Sequence, residues 1–119
     1  MTGLDTNVII GWLIDDGTDL PGEPPYVLSL VVVAEVFWVL ASILKRPKAE
    51  MLDVADLLIA HPDIRLLRHE AVVAARKDWA DGAADFPDYL MMRDHQLAGA
   101  AHTLTHDRKA ARHPNFKSV

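Results

Sequence analysis

Tyr26-Val27-Leu28-Ser29-Leu30-Val31-Val32-Val33-Ala34-Glu35-Val36-Phe37-Trp38-Val39-Leu40 passes from three residues suited to a buried strand into a long apolar run. Ser29 offers a side-chain oxygen at the junction, where a helix N-cap needs one. The run continues to Leu44. Its β-branched Val31-Val32-Val33 also suits a strand, but its length favours a helix from about Val31 to Leu44. A helix apolar on nearly every side is expected to be buried, and this makes Glu35 the exceptional residue in it. An unpaired buried carboxylate costs several kcal/mol or takes up a proton. Glu35 therefore calls for a buried Arg, a wet edge or a cation.

The same strand-then-helix grammar extends to both sides. Met1–Leu4 reads as a short buried strand, Thr6 and Asn7 offer oxygens to cap a helix through Val8–Leu13, and Asp5 sits at that junction. Asp15–Pro25 carries two Gly and three Pro and reads as a loop. Beyond Pro47, Met51, Leu52, Ala55, Leu58 and Ile59 recur at helical spacing. Ile64–Leu67 makes a third strand, and Glu70–Asp81 a helix containing Val72, Val73, Arg76 and Trp79 that Gly82 is placed to end. A further helix opens at Pro87 and runs to about Gly99. Thr103–Thr105 is a fourth strand, Arg108–Arg112 a short helix and Asn115–Val119 a small last strand. Alternation of this kind implies an α/β fold with right-handed crossovers and a mainly parallel sheet covered on both sides. Ligands of such sheets bind beyond the carboxyl ends of the strands, where Asp5 and Asp107 are expected.

The chain has 119 residues, half of them hydrophobic, which fits one domain over 1–119 with a single core. It has no cysteine, so disulfides, zinc thiolates and thiol nucleophiles are excluded, and a reducing, cytoplasmic setting fits. No leader pattern opens it, and its longest apolar run is broken by Glu35, so it reads as soluble and not membrane-spanning. A net charge of −5 argues against coating nucleic acid through a broad basic face, although Lys45, Arg46 and Lys48, and Arg108, Lys109, Arg112 and Lys117, form two local basic groups. Such groups are also ordinary solvated faces.

Most of the 17 acids, Asp15, Asp16, Asp19, Glu23, Glu50, Asp53, Asp63, Asp78 and Asp81 among them, lie in polar loops or on helix faces expected to be exposed. Asp5, Glu35, Asp88 and Asp107 stand at the ends or edges of apolar segments. Each has an ordinary explanation: Asp5 as a helix N-cap, Glu35 paired or facing water, Asp88 as a first-turn acid favoured by the helix dipole, Asp107 as a turn residue. Their conjunction at one sheet edge is harder to explain singly, and four carboxylates gathered there would need divalent metal to be stable at neutral pH. His102 and His106 have helical metal-pair spacing, but the intervening Thr103-Leu104-Thr105 favours extended chain, which puts them about 13 Å apart. There is no Gly-x-Ser-x-Gly elbow and no phosphate-binding glycine loop. Trp12, Phe37, Trp38 and Trp79 fall on apolar helix faces and are expected in the core.

Gly3-Leu4-Asp5-Thr6-Asn7-Val8-Ile9-Ile10, the segment Ser29–Leu40, Ala84-Asp85-Phe86-Pro87-Asp88-Tyr89-Leu90 and Leu104-Thr105-His106-Asp107-Arg108-Lys109-Ala110 resemble, in that order, the motifs of PIN-domain ribonucleases, and most of all the VapC toxins of bacterial toxin–antitoxin pairs. The resemblance spans nearly the whole chain. It implies a three-layer α/β/α PIN-like domain that cleaves RNA with Mg2+ or Mn2+, with Asp5, Glu35, Asp88 and Asp107 as the catalytic, metal-binding acids. Thr6, Asn7, Ser29 and Asp85 match supporting positions. It also implies a cognate antitoxin as partner, and a homodimer. In this reading Asp5, Glu35 and Asp88 hold the principal ion and Asp107 positions a second ion or the attacking water. The chain departs from the family pattern in the short Pro-rich Gly17–Pro25, in His106 where Phe is more usual, and in Met91-Met92-Arg93-Asp94-His95, which is larger and more polar than expected. Alternatives are a catalytically silent binding module of the same fold and a receiver-type magnesium-binding signalling domain.

Overall fold

The computed structural model describes residues 1–15 and 19–119. Asp16, Gly17 and Thr18, which belong to the expected loop, lie outside the described residues. The chain forms two compact units, Met1–His69 and Glu70–Val119.

In the first unit, β1 (Thr2–Gly3) leads into α1 (Thr6–Ile14), and β2 (Tyr26–Leu28) into α2 (Leu30–Ser42). Then α3 (Lys48–Ala60) leads to β3 (Ile64–Leu66). The strands form one parallel sheet in the order β1-β2-β3, with Thr2 opposite Tyr26 and Tyr26 opposite Ile64. Backbone pairing runs past the strand ends, where the Leu4 amide donates to Val27 O (3.1 Å) and the Leu67 amide to Leu28 O (2.9 Å). Parallel neighbours cannot be joined by a hairpin, so α1 and the α2–α3 pair serve as the crossovers. Residues 19–25 contain no helix or strand.

The first helix begins at Thr6, earlier than the sequence suggests, so the cap falls to Asp5 and not to Thr6 or Asn7. Ser29 caps α2 as expected, its oxygen accepting from the Val32 amide at 3.3 Å. Burial along α2 corrects two expectations. Val33, Val36, Phe37 and Leu40 form a buried stripe at i, i+3, i+4, i+7, whereas Val31, Glu35, Trp38 and Ser42 share the opposite, exposed face. Glu35 is therefore not buried, and Trp38, 57% exposed, is not a core residue. Two apolar residues on the outer face had hidden the helix's two-sidedness. On α3 the expected stripe appears, with Met51, Ala55 and Leu58 buried.

The second unit carries α4 (His69–Asp81, whose first residue closes the first unit), α5 (Phe86–Leu97), β4 (Thr103–Thr105), a 3-10 turn at Ala110–Arg112 and β5 (Phe116–Ser118). The two strands pair in parallel, Thr103 opposite Phe116 and Thr105 opposite Ser118. Val72, Ala75, Trp79, Phe86, Tyr89, Leu90 and Met92 are buried, and the rings of Trp79 and Phe86 stack with centroids 4.6 Å apart. Gly82 follows α4, and only glycine fits there: a Cβ would collide with the Tyr89 hydroxyl, which takes a hydrogen bond from the Ala84 amide at 3.2 Å. No helix among the described residues is long and apolar enough to cross a membrane.

Candidate functional site

Beyond the carboxyl ends of β1 and β2 stand Asp5, Thr6, Asn7 and Ser29. Asp5 is extended (φ −82°, ψ 160°), and its Oδ1 accepts from the Thr6 amide at 2.7 Å. The Thr6 side chain is buried and its hydroxyl donates to Glu35 Oε2 at 3.0 Å. Thr6 thus ties the first turn of α1 to α2, bringing Glu35 to the end of the sheet that carries Asp5. Glu35 is exposed and accepts from the Thr6 hydroxyl, the wet-edge arrangement. Asn7 is exposed.

In the second unit Asp85, Asp88 and Asp107 come together. Asp85 occupies the N-cap position of α5, and the Asp88 amide donates to its carbonyl at 3.1 Å. Burial pushes the Asp88 carboxyl above the ordinary carboxylate range; the negative charges of Asp107 and Asp85 push it further, and a hydrogen bond from the Asp85 amide only partly offsets this. Asp107 follows β4, its amide donating to Thr105 Oγ1 (3.0 Å) and its Oδ1 accepting from the Lys109 and Ala110 amides (2.7 and 2.9 Å). An open cleft of about 360 Å3 beside it is lined by Ala83, Ala84, Asp85, Asp107, Arg108 and Lys109.

The ordinary roles of Asp5 as a cap and Asp107 as a turn residue are therefore present. They do not preclude ligation: the hydrogen bonds to Asp5 and Asp107 fall on Oδ1 and the one to Glu35 on Oε2. The donors are the hard oxygens that Mg2+ and Mn2+ prefer. Among the described residues, no three His, Asp or Glu side chains converge closely enough to make a ready metal cage. His102 and His106 flank extended β4 and are exposed, with His106 Nδ1 3.1 Å from Val119 O. Asp53 and Asp56 lie on α3, not at the strand end where a receiver domain carries its phosphoacceptor.

One cluster escaped the sequence reading. Asp78 was expected on an exposed helix face, yet its side chain is only 9% exposed. Arg93 Nε donates to its Oδ2 (2.6 Å), Arg93 Nη2 to its Oδ1 (2.7 Å), and His113 Nε2 approaches Oδ1 at 3.0 Å. Burial alone would raise the Asp78 carboxyl, but hydrogen bonds from Arg93 and His113 and the guanidinium charge outweigh it and hold the group below the usual range. The partners lie 15 and 35 residues away. The only hint in the sequence is the unexpected Arg in Met91–His95.

No protein family model, curated protein or solved structure matches this chain.

Proposed function

We propose that the chain is a metal-dependent endoribonuclease with a three-layer PIN-like architecture, acting as the toxin of a toxin–antitoxin pair. The observation that carries this reading is Asp88, a carboxyl lifted by burial and by the charges of Asp107 and Asp85 beyond the strand β4. Carboxylates crowded against one another are costly in a purely structural site and useful in one that takes up a cation. Asp5 and Glu35, oriented through Thr6, add acids of the same kind at the end of a parallel sheet.

When bound, Mg2+ or Mn2+ supplies Lewis-acid stabilisation of phosphoryl oxygens and a more acidic water. The chain's part is to orient the donors. Asp88 would be the metal-holding acid of the second unit, where Asp107, fixed by two amides, would position the attacking water or a second ion, and Asp5 and Glu35 would be the metal-holding acids of the first. Ser29 and Thr6 keep the two helix starts in place. Arg108 and Lys109, on the rim of the cleft with Asp107 and Asp85, suit the RNA phosphates on either side of the scissile bond. In the same reading the exposed apolar residues Val31, Trp38 and Ile43 serve the homodimer or the antitoxin, and the setting is cytoplasmic.

The capping roles of Asp5 and Asp107 favour one second reading, a silent binding module in which these acids serve only the fold. Incubation of a mixed structured RNA pool with the chain separates the two. Cleavage is expected with Mg2+, none with chelator, and at least about a hundredfold less with Asp88→Asn, since the amide keeps the shape and removes the charge. Equal metal-dependent cleavage by Asp88→Asn would remove Asp88 from the mechanism.

A further inference from the structure

We propose that His113, held by Asp78 and Arg93, is a positioning residue that fixes the separation of Asp88 and Asp107. This rests on the metal-site reading above. The connections form a closed circuit within the second unit. Asp107 Oδ1 accepts from the Ala110 amide at the start of the 3-10 turn, and the His113 amide donates to Ala110 O at its end (3.0 Å). A shift of His113 is thus carried to Asp107 through one short, rigid turn. The Asn115 amide donates to His113 Nδ1 (3.1 Å), which leaves the proton on Nε2 and makes that nitrogen the donor to Asp78 Oδ1. Asp78 in turn takes the two-pronged Arg93, and Arg93 stands on α5 five residues after Asp88, about 7.5 Å along the axis.

A second contact closes the circuit from the other side. The His113 ring meets Tyr89, the residue after Asp88, edge to face with centroids 6.0 Å apart, and Tyr89 is itself pinned by the Ala84 amide above Gly82. One imidazole therefore touches both the segment that follows Asp107 and the helix turn that presents Asp88. Two like-charged carboxylates drift apart unless something holds them, and a bound cation needs them at a fixed spacing. Bidentate Arg–carboxylate geometry is well suited to provide that rigidity.

The test is Mn2+ binding, read by the loss of the free-ion electron paramagnetic resonance signal on titration of the whole chain, with no RNA present. His113→Phe keeps a ring against Tyr89 but cannot donate, whereas His113→Gln keeps a donor for Asp78. The Mn2+ dissociation constant is expected to rise about tenfold in H113F, as for other residues that orient a ligand indirectly, and to stay within about twofold of the parent in H113Q. Leu58→Ala, a buried change in α3 of the first unit, is the control for lost stability and should leave the constant unchanged. Should H113F fail to fold, Arg93→Lys, which keeps charge and loses the fork, carries the same tenfold expectation. Parent-like binding by H113F, or by R93K in its place, overturns the positioning role while Asp88-dependent binding by the parent keeps the metal reading intact. Parent binding that is absent, or unchanged by Asp88→Asn, overturns the metal reading and this proposal with it.

Discussion

Arg46 and Arg93 each face a carboxylate, and burial separates what the two pairs are worth. Arg46 lies 3.8 Å from Glu50 four residues on, with the two side chains 46% and 52% exposed. Such a pair is screened and entropically costly to hold, so Arg46→Ala should change stability by no more than about 0.5 kcal/mol. Arg93 grips Asp78 with two nitrogens at 2.6 and 2.7 Å, the carboxylate 9% exposed. Arg93→Ala would leave that carboxylate buried with His113 as its remaining described donor, at a cost of about 3 kcal/mol. Urea unfolding of both variants checks the contrast. If both lost the same small amount, Asp78 would be an ordinary surface charge, as its polar sequence neighbourhood suggests. The sequence made Asp88 and Asp107 legible because each abuts an apolar segment. Asp78 was not legible, since its environment comes from residues 15 and 35 positions away.

At the scale of elements, each expected strand and helix has a counterpart, with ends that differ by a few residues. Start and stop chemistry explains much of this: Ser29 caps α2, Pro87 sits in the first turn of α5, and Gly82 follows α4. Orientation within an element was harder to read. Nearly every residue of α2 is apolar, so periodicity gave no direction, and only packing distinguishes the face of Phe37 from that of its neighbour Trp38. This yields a sharp pair of expectations. Phe37→Ala should cost about 3–5 kcal/mol, because it empties a site that is 2% exposed. Trp38→Ala, at 57% exposure, should cost less than about 1 kcal/mol when measured at protein concentrations low enough to keep copies apart. Equal losses would mean that α2 is covered on both sides, as its composition alone suggests. The same outer face holds Glu35, so the candidate acid was recognisable by its apolar setting although that setting turned out to be wet.

For the whole molecule, the parallel α/β character followed from the alternation of segments, because parallel neighbours require crossovers and the chain supplies helices between strands. The electrostatic balance did not follow from counting 17 acids against 12 bases. Two acids of the second unit pull the pH dependence of stability in opposite directions. Asp78 has a lowered carboxyl in the folded chain, so its contribution is fully present above the unfolded value near 3.9 and is lost as pH falls through the lower folded value. Asp88 has a raised one, so the folded chain holds its proton more tightly. Its penalty is absent below the unfolded value and grows as pH rises through the folded one. Thermal melts at pH 7 and pH 3, with metal chelated, should therefore separate the variants. Asp78→Asn should melt well below the parent at pH 7, and the gap should narrow toward pH 3 as the pH approaches the lowered folded value. Asp88→Asn should melt above the parent at pH 7 and level with it at pH 3, because the amide keeps the acceptor for the Asp85 amide without the charge facing Asp107 and Asp85. Added Mn2+ should then reverse the order of parent and Asp88→Asn at pH 7, since an ion bound only by the folded parent stabilises it by mass action. A parent that melts above Asp88→Asn at pH 7 without metal would show that Asp88 serves the fold, and the reading of a cation site would lose its main support.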